Sequence, residues 1–106
     1  MIDLLDDYYR TEYENSEGYD RERAQKKAFS VILPLIMDNE LTKQQSVCLR
    51  YKYISGKSQQ EIADLLHLSQ PTVSRHIKAA KEIVNNKLRY CYAALSVALE
   101  EYSKYA

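Results

Sequence analysis

Nothing between Thr72 and Ala106 is glycine or proline, and apolar residues recur through that span at helical intervals. Val73, Ile77, Ala80, Val84, Leu88, Cys91, Leu95, Ala98, Tyr102 and Tyr105 step by three or four, one stripe of a 3.6-residue period. Such an ending predicts one long helix of ~30 residues, ~45 Å at 1.5 Å per residue. Two prolines and two glycines in 106 residues leave little room for sheet turns or flexible linkers. A single all-α domain is therefore expected. It divides into acidic N-terminal helices (1–40), a helix-turn-helix (41–81) and a C-terminal extension of the last helix (82–106).

Upstream of the long helix, Ser58 to Ile83 reads SQQEIADLLHLSQPTVSRHIKAAKEI. Ile62, Ala63 and Leu66 form one apolar stripe, Val73, Ile77 and Ala80 form another, and Leu68 lies between them. Two short helical patterns around a tight turn are the layout that lays one helix in a DNA major groove. Ser58 with Glu61 three residues on is a capping box, and Thr42 with Gln45 is another. Gly56 suits the left-handed end of a helix, Ser69 suits a cap, and Pro71 falls in a first turn, where a missing amide costs nothing. His67 stands where the turn usually holds glycine; histidine is among the residues that tolerate that backbone.

The segment Leu41 to Ala80 resembles the fourth region of bacterial sigma factors and is similar to the DNA-binding domain of LuxR-type regulators. The residues that carry this are Leu41-Thr42, the step from Gly56 to Ser58, Glu61-Ile62-Ala63, and Thr72 to Ile77. The resemblance implies a support helix over Leu41–Ser55 and DNA reading by the second helix of the motif, in sigma factors at the upstream promoter element. The length does not accommodate the other sigma regions, so a complete free-standing sigma factor is not expected.

Zero net charge hides an asymmetry. Residues 1–41 carry ten acidic and five basic side chains, whereas residues 42–90 carry nine basic and three acidic ones. A basic centre under an acidic N-terminus fits an oriented reader of a polyanion. With Val73 inward at 100° per residue, Arg75 and Lys78 point outward, and Gln70, Thr72 and Ser74 lie on the flanks. These five are the candidate base readers: Arg75 suits a guanine, Gln70 an adenine. Lys43, Lys57, Ser58, Gln59, Gln60, His76 and Lys81 are the candidate phosphate contacts.

The long helix exceeds what a domain of this size needs internally. Pairing of two copies through Leu88, Cys91, Leu95, Ala98 and Tyr102 is expected, placing two reading helices ~34 Å apart on successive groove turns. The alternative is that the first two helices fold back over that seam and leave a monomer. The N-terminal pattern predicts a helix over 2–15 (Ile2, Leu5, Tyr9, Tyr13), a break at Asn15–Gly18, and a second helix from near Asp20 in which Pro34 either kinks the helix or starts a new turn.

Double-stranded DNA is thus the expected partner. RNA polymerase or another protein is the alternative, with the fold serving as an interaction module, and a ligand-gated dimer is a third reading. No enzyme is expected: the two histidines lie inside the motif, and no phosphate loop or metal-ligand spacing appears, so no cofactor is expected either. Asp6-Asp7 and Glu100-Glu101 read as solvated surface. No apolar run reaches the ~20 residues of a membrane span. The acidic start lacks a signal leader, and Cys48 and Cys91 read as reduced, packed thiols, which together suggest a cytoplasmic protein.

Overall fold

A computed structural model describes residues 3–10 and 21–105 as five α-helices. These are α1 (Leu4–Arg10), α2 (Arg21–Asn39), α3 (Lys43–Tyr53), α4 (Gln59–Leu66) and α5 (Gln70–Tyr105). The all-α expectation holds. Of the helix expected over 2–15, Leu4–Arg10 is described; Ile2, Tyr13, the break at Asn15–Gly18 and Asp20 lie outside the described residues.

Every other helix packs against α5. At 36 residues α5 is ~54 Å long by its helical rise, matching the 54 Å longest dimension of the molecule. Its inward stripe is the one the spacing predicts: Val73, Ile77, Ala80, Val84 and Leu88 are all buried. Around it sit Leu5 of α1, Phe29, Leu33, Ile36 and Met37 of α2, Cys48 and Leu49 of α3, and Ile62 and Ala63 of α4. Ala63, 3% exposed, lies in the α4 face that closes on α5, where only a small side chain lets the backbones approach. Tyr8, Tyr9, Tyr51 and Tyr53 pack on the rim of this core, while Tyr90, Tyr92, Tyr102 and Tyr105 are exposed.

The helix ends follow from local chemistry. Thr42 Oγ1 accepts from the Gln45 amide at 3.2 Å and Gln45 Oε1 from the Thr42 amide at 3.0 Å. Ser58 and Glu61 exchange the corresponding bonds at 3.1 and 3.4 Å. Gly56 takes φ 66° and lets the Lys57 amide reach back to the Tyr51 carbonyl at 3.0 Å, closing the end of α3. His67 adopts φ 55°, ψ 44°, the left-handed position anticipated for it. The Leu68 amide then bonds the Ala63 carbonyl at 3.0 Å, and half-buried Leu68 drops between α4 and α5.

Pro34 starts no new element; α2 runs through it. It and Ser30, whose carbonyl loses its helical donor there, are both exposed, so water can take the place of that bond. Both cysteines are free; Cys48 is fully buried, and burial pushes its thiol upward in pKa.

Leu88 revises one expectation. It is 0% exposed within the single chain and belongs to its core, so it is not part of an exposed seam for a second copy. Leu88→Ala should cost ~2–5 kcal/mol of folding stability through lost burial and a cavity. Urea unfolding at two protein concentrations checks this: a concentration-independent loss is expected from a core position.

Candidate nucleic-acid interface

The start of α5 is set by Ser69. Its Oγ accepts the Thr72 amide at 3.3 Å and lies 2.7 Å from the Thr72 hydroxyl, while its carbonyl takes the Val73 amide at 3.1 Å. From that cap, Gln70, Ser74, Arg75 and Lys78 project as exposed side chains, with Thr72 half-buried beside them. Arg75 Nη2 donates to Thr72 Oγ1 at 3.3 Å, which lays the guanidinium along the outer face of the first turns. All five candidate base readers therefore share the N-terminal end of one helix.

The expected phosphate contacts spread over the start of α3, the start of α4 and the body of α5. Lys43 is exposed at the start of α3; Lys57, Ser58, Gln59 and Gln60 cluster at the start of α4, with Lys57 Nζ 3.9 Å from Glu61 and Gln60 bonded to Asp64 at 3.0 Å. His76 is half-buried on the opposite flank of α5 from Ser74. An open groove of about 530 Å³ runs along α5, where Lys52 of α3, Gln59 of α4, and Lys78, Lys81 and Arg89 of α5 share the walls with the acidic Asp3 and Glu82. Lys52 and Arg89 escaped the sequence reading. Their positions in the basic half were the available signal, but which face they share depends on how α3 docks.

Lys81 is a correction. Its ammonium lies 2.7 Å from Asp3 Oδ2 and 3.1 Å from Asp6 Oδ2, so two carboxylates of the N-terminal segment already hold it. It is not open to a phosphate while α1 is docked. The same acids knit α1 to its neighbours. Asp3 Oδ1 accepts the Asp6 amide and Asn85 Nδ2, each at 3.0 Å. Asn85 Oδ1 accepts the Leu5 amide at 2.9 Å. The Tyr53 hydroxyl donates to Asp6, and its ring stacks on Tyr9 at 5.0 Å between centroids. Asp6 is thus a docking group and not the solvated surface its sequence context suggests; Asp7 pairs with Arg10.

The electrostatics follow from this geometry. Burial alone would raise the Asp3 carboxyl, but bonds from Lys81, the Asp6 amide and Asn85 outweigh it and hold the group well below its ordinary 3.8. Burial opposes the Lys81 charge, yet its bonds to Asp3 and Asp6 prevail and lift it above its ordinary 10.5. Tyr53 is raised by burial first and by its bond to Asp6 second.

The helix-turn-helix, with its cap and left-handed turn, lies in the segment that a comparison with known families also singles out. Residues 39–83 match the family model of sigma-70, region 4. The matched segment covers α3, α4 and the first part of α5, including every candidate base reader. The family is a helix-turn-helix DNA-binding domain, which supports a DNA-binding, transcription-related role. It is a regulatory family and not an enzyme family. No curated protein and no solved structure matches the chain significantly. Outside the region-4 match lie α1, α2 and the far part of α5. Among the described residues, no helix is long and apolar enough to cross a membrane.

The remaining expected residues of the C-terminal seam diverge. Cys91 packs against the core, Leu95 is half-buried, and Ala98 and Tyr102 are exposed.

The depressed Asp3 carboxyl stabilises docked α1 above the ordinary carboxylate value and loses that contribution as pH falls through its lower folded-state value. The raised Lys81 contributes below its ordinary value and loses that only at higher pH. Docking of α1 should therefore be constant from pH ~5 to ~9 and loosen below ~4. Amide exchange at Leu5 across that range is the measurement; early loss of protection near neutrality would contradict it.

Proposed function

We propose that this chain is a sequence-specific, double-stranded DNA-binding regulator of transcription that reads the major groove with the start of α5. The observation that carries this reading is the exposure of Gln70, Ser74, Arg75 and Lys78, with half-buried Thr72, on the first turns of a region-4 recognition helix. Arg75 is the guanine reader, able to span O6 and N7; Gln70 suits an adenine; Thr72, Ser74 and Lys78 complete the contact. Lys43, Lys57, the Ser58–Gln60 turn and His76 hold the flanking phosphates and set register. The amide-rich start of α4, its N–H groups directed at the backbone, adds to that grip.

Two copies acting together give a specificity that one helix lacks, because each recognition helix covers only a few base pairs. The length of α5 beyond its core supports pairing between copies through that helix.

RNA polymerase is the second partner consistent with a region-4 domain. The docked α1 favours this partner, because Asp3 and Asp6 occupy Lys81 and thin the cationic face. In that case the helix-turn-helix serves mainly as a protein-interaction module.

Duplex titrations separate the readings. With two lysine–phosphate contacts per chain, from Lys43 and Lys57, log affinity should fall with log salt at a slope near −2. Asp3→Ala/Asp6→Ala frees Lys81 and should steepen the slope by about one. Arg75→Ala should cost ~1–3 kcal/mol and relax preference at one base pair. A folded protein that binds no duplex at low salt would leave the interaction module standing.

A further inference from the structure

A second stripe runs along α5, a quarter-turn from the reading face. Ile83, Lys87, Tyr90, Ala94, Val97, Glu101 and Lys104 follow one another at steps of four and three, the spacing of a coiled-coil seam. From Lys87 onward every one of them is exposed, with Tyr90 at 78% and Val97 at 62%. Between Arg89 and Glu100 the helix carries no charge on any face. No residue beyond Cys91 belongs to the core or packs against it among the described residues. An uncharged helix segment that leaves Tyr90, Tyr92 and Val97 exposed is a surface of the kind that marks an interface.

We infer that this outer stripe docks the α5 of a second copy of the chain in antiparallel orientation, about a two-fold axis near Ala94. The inference rests on the pairing of two copies proposed above and names its face and direction. Three observations favour this occupant. First, an axis at Ala94 sets Lys87 level with Glu101 of the other copy on both sides, and Tyr90 within a residue of Val97. Parallel pairing would instead stack Glu101 on Glu101 and Lys87 on Lys87, like charges that repel. The local partners of these groups do not compete strongly: Lys87 lies 3.7 Å from Glu40, and Glu101 lies 2.9 Å from Lys104, with all four side chains about half exposed.

Second, a small side chain lies at the centre of the stripe. Ala94 is exposed, and with it at the crossing two helix axes approach closely while Tyr90 and Val97 close over the sides.

Third, the direction of the stripe suits two DNA readers. At 100° per residue, Tyr90, Ala94 and Val97 point about 100° round the helix from Arg75 and Lys78. The two-fold axis of an antiparallel pair runs perpendicular to the plane of the two helices. A reading face a quarter-turn from the contact therefore points to the same side in both copies. The inward stripe through Leu88 cannot serve, because it is filled by the chain's own core and lies opposite the reading face.

A spacing follows. The reading turns sit about 19 residues from the axis, so their separation is roughly 57 Å, closer to two turns of duplex (~68 Å) than to one (~34 Å). The half-sites of the preferred DNA would then lie about two helical turns apart, and not on successive turns.

Light scattering and sedimentation on the full chain test the arrangement, with circular dichroism to verify that each variant is folded. The wild type should dimerise. Val97→Asp should weaken the dimer more than about tenfold by placing a charge at its apolar centre. Lys87→Glu and Glu101→Lys should each weaken it about fivefold, and the double variant Lys87→Glu/Glu101→Lys should regain wild-type affinity. A monomeric wild type at high concentration would overturn the pairing itself. A dimer indifferent to Val97→Asp would leave pairing intact and overturn this face. Loss with Val97→Asp but no rescue by the double variant would overturn the antiparallel direction.

Discussion

The burial of one stripe of α5 holds the structure together. Val73, Ile77, Ala80, Val84 and Leu88 lie on one face over about four turns, and all four other helices cover that face. A fully buried aliphatic side chain contributes ~1.5–3 kcal/mol of transfer free energy, which applies to Val73, Ile77, Val84 and Leu88 of this row. The same row sets the rotation of the recognition helix. Because Val73 and Ile77 must point inward, Arg75 and Lys78 are compelled outward. Core and proposed reading face are two sides of one periodicity.

Electrostatics add a second layer. The basic centre and the acidic N-terminus meet at Lys81, where Asp3, Asp6, Asn85 and Tyr53 converge. Leu5, fully buried, anchors the apolar side of the same short helix. A seven-residue helix has no standing of its own in water; it is held by tertiary contacts, and its carboxylates occupy a place that a phosphate would otherwise take. The acidic segment presents to Lys81 the same kind of anionic oxygen that a nucleic-acid backbone carries, so on the proposed DNA-binding reading the docking of α1 and a phosphate would compete for one ammonium group.

The far part of α5 has a different logic. Its inward stripe continues past the point where the core ends, and its outer stripe surfaces as the neighbouring helices fall away. A protruding helix with no charge for ten residues from Tyr90 to Leu99 is an exposed apolar surface of the kind that marks an interface. The rigid continuity of α5 from Gln70 to Tyr105 means that whatever grips its end also orients its start.

Local chemistry made much of this legible. The capping boxes at Thr42 and Ser58, the left-handed Gly56 and His67, the Ser69 cap and the inward stripe of α5 each depend on residues within four positions of one another, and all appear in the structure where the sequence implies them. The resemblance of residues 39–83 to sigma-70 region 4 was readable for the same reason, since its marks are short-range. What tertiary structure alone decided involves residues far apart in the chain. Lys81 looked free until α1, more than seventy residues away, brought two carboxylates to it. Leu88 looked like part of an intermolecular seam because periodicity marks an apolar face without saying what covers it. Lys52 and Arg89 joined one groove only when α3 settled against α5. Periodicity and caps are local and therefore written in the sequence, whereas the partner of a charge or of an apolar face is set by packing.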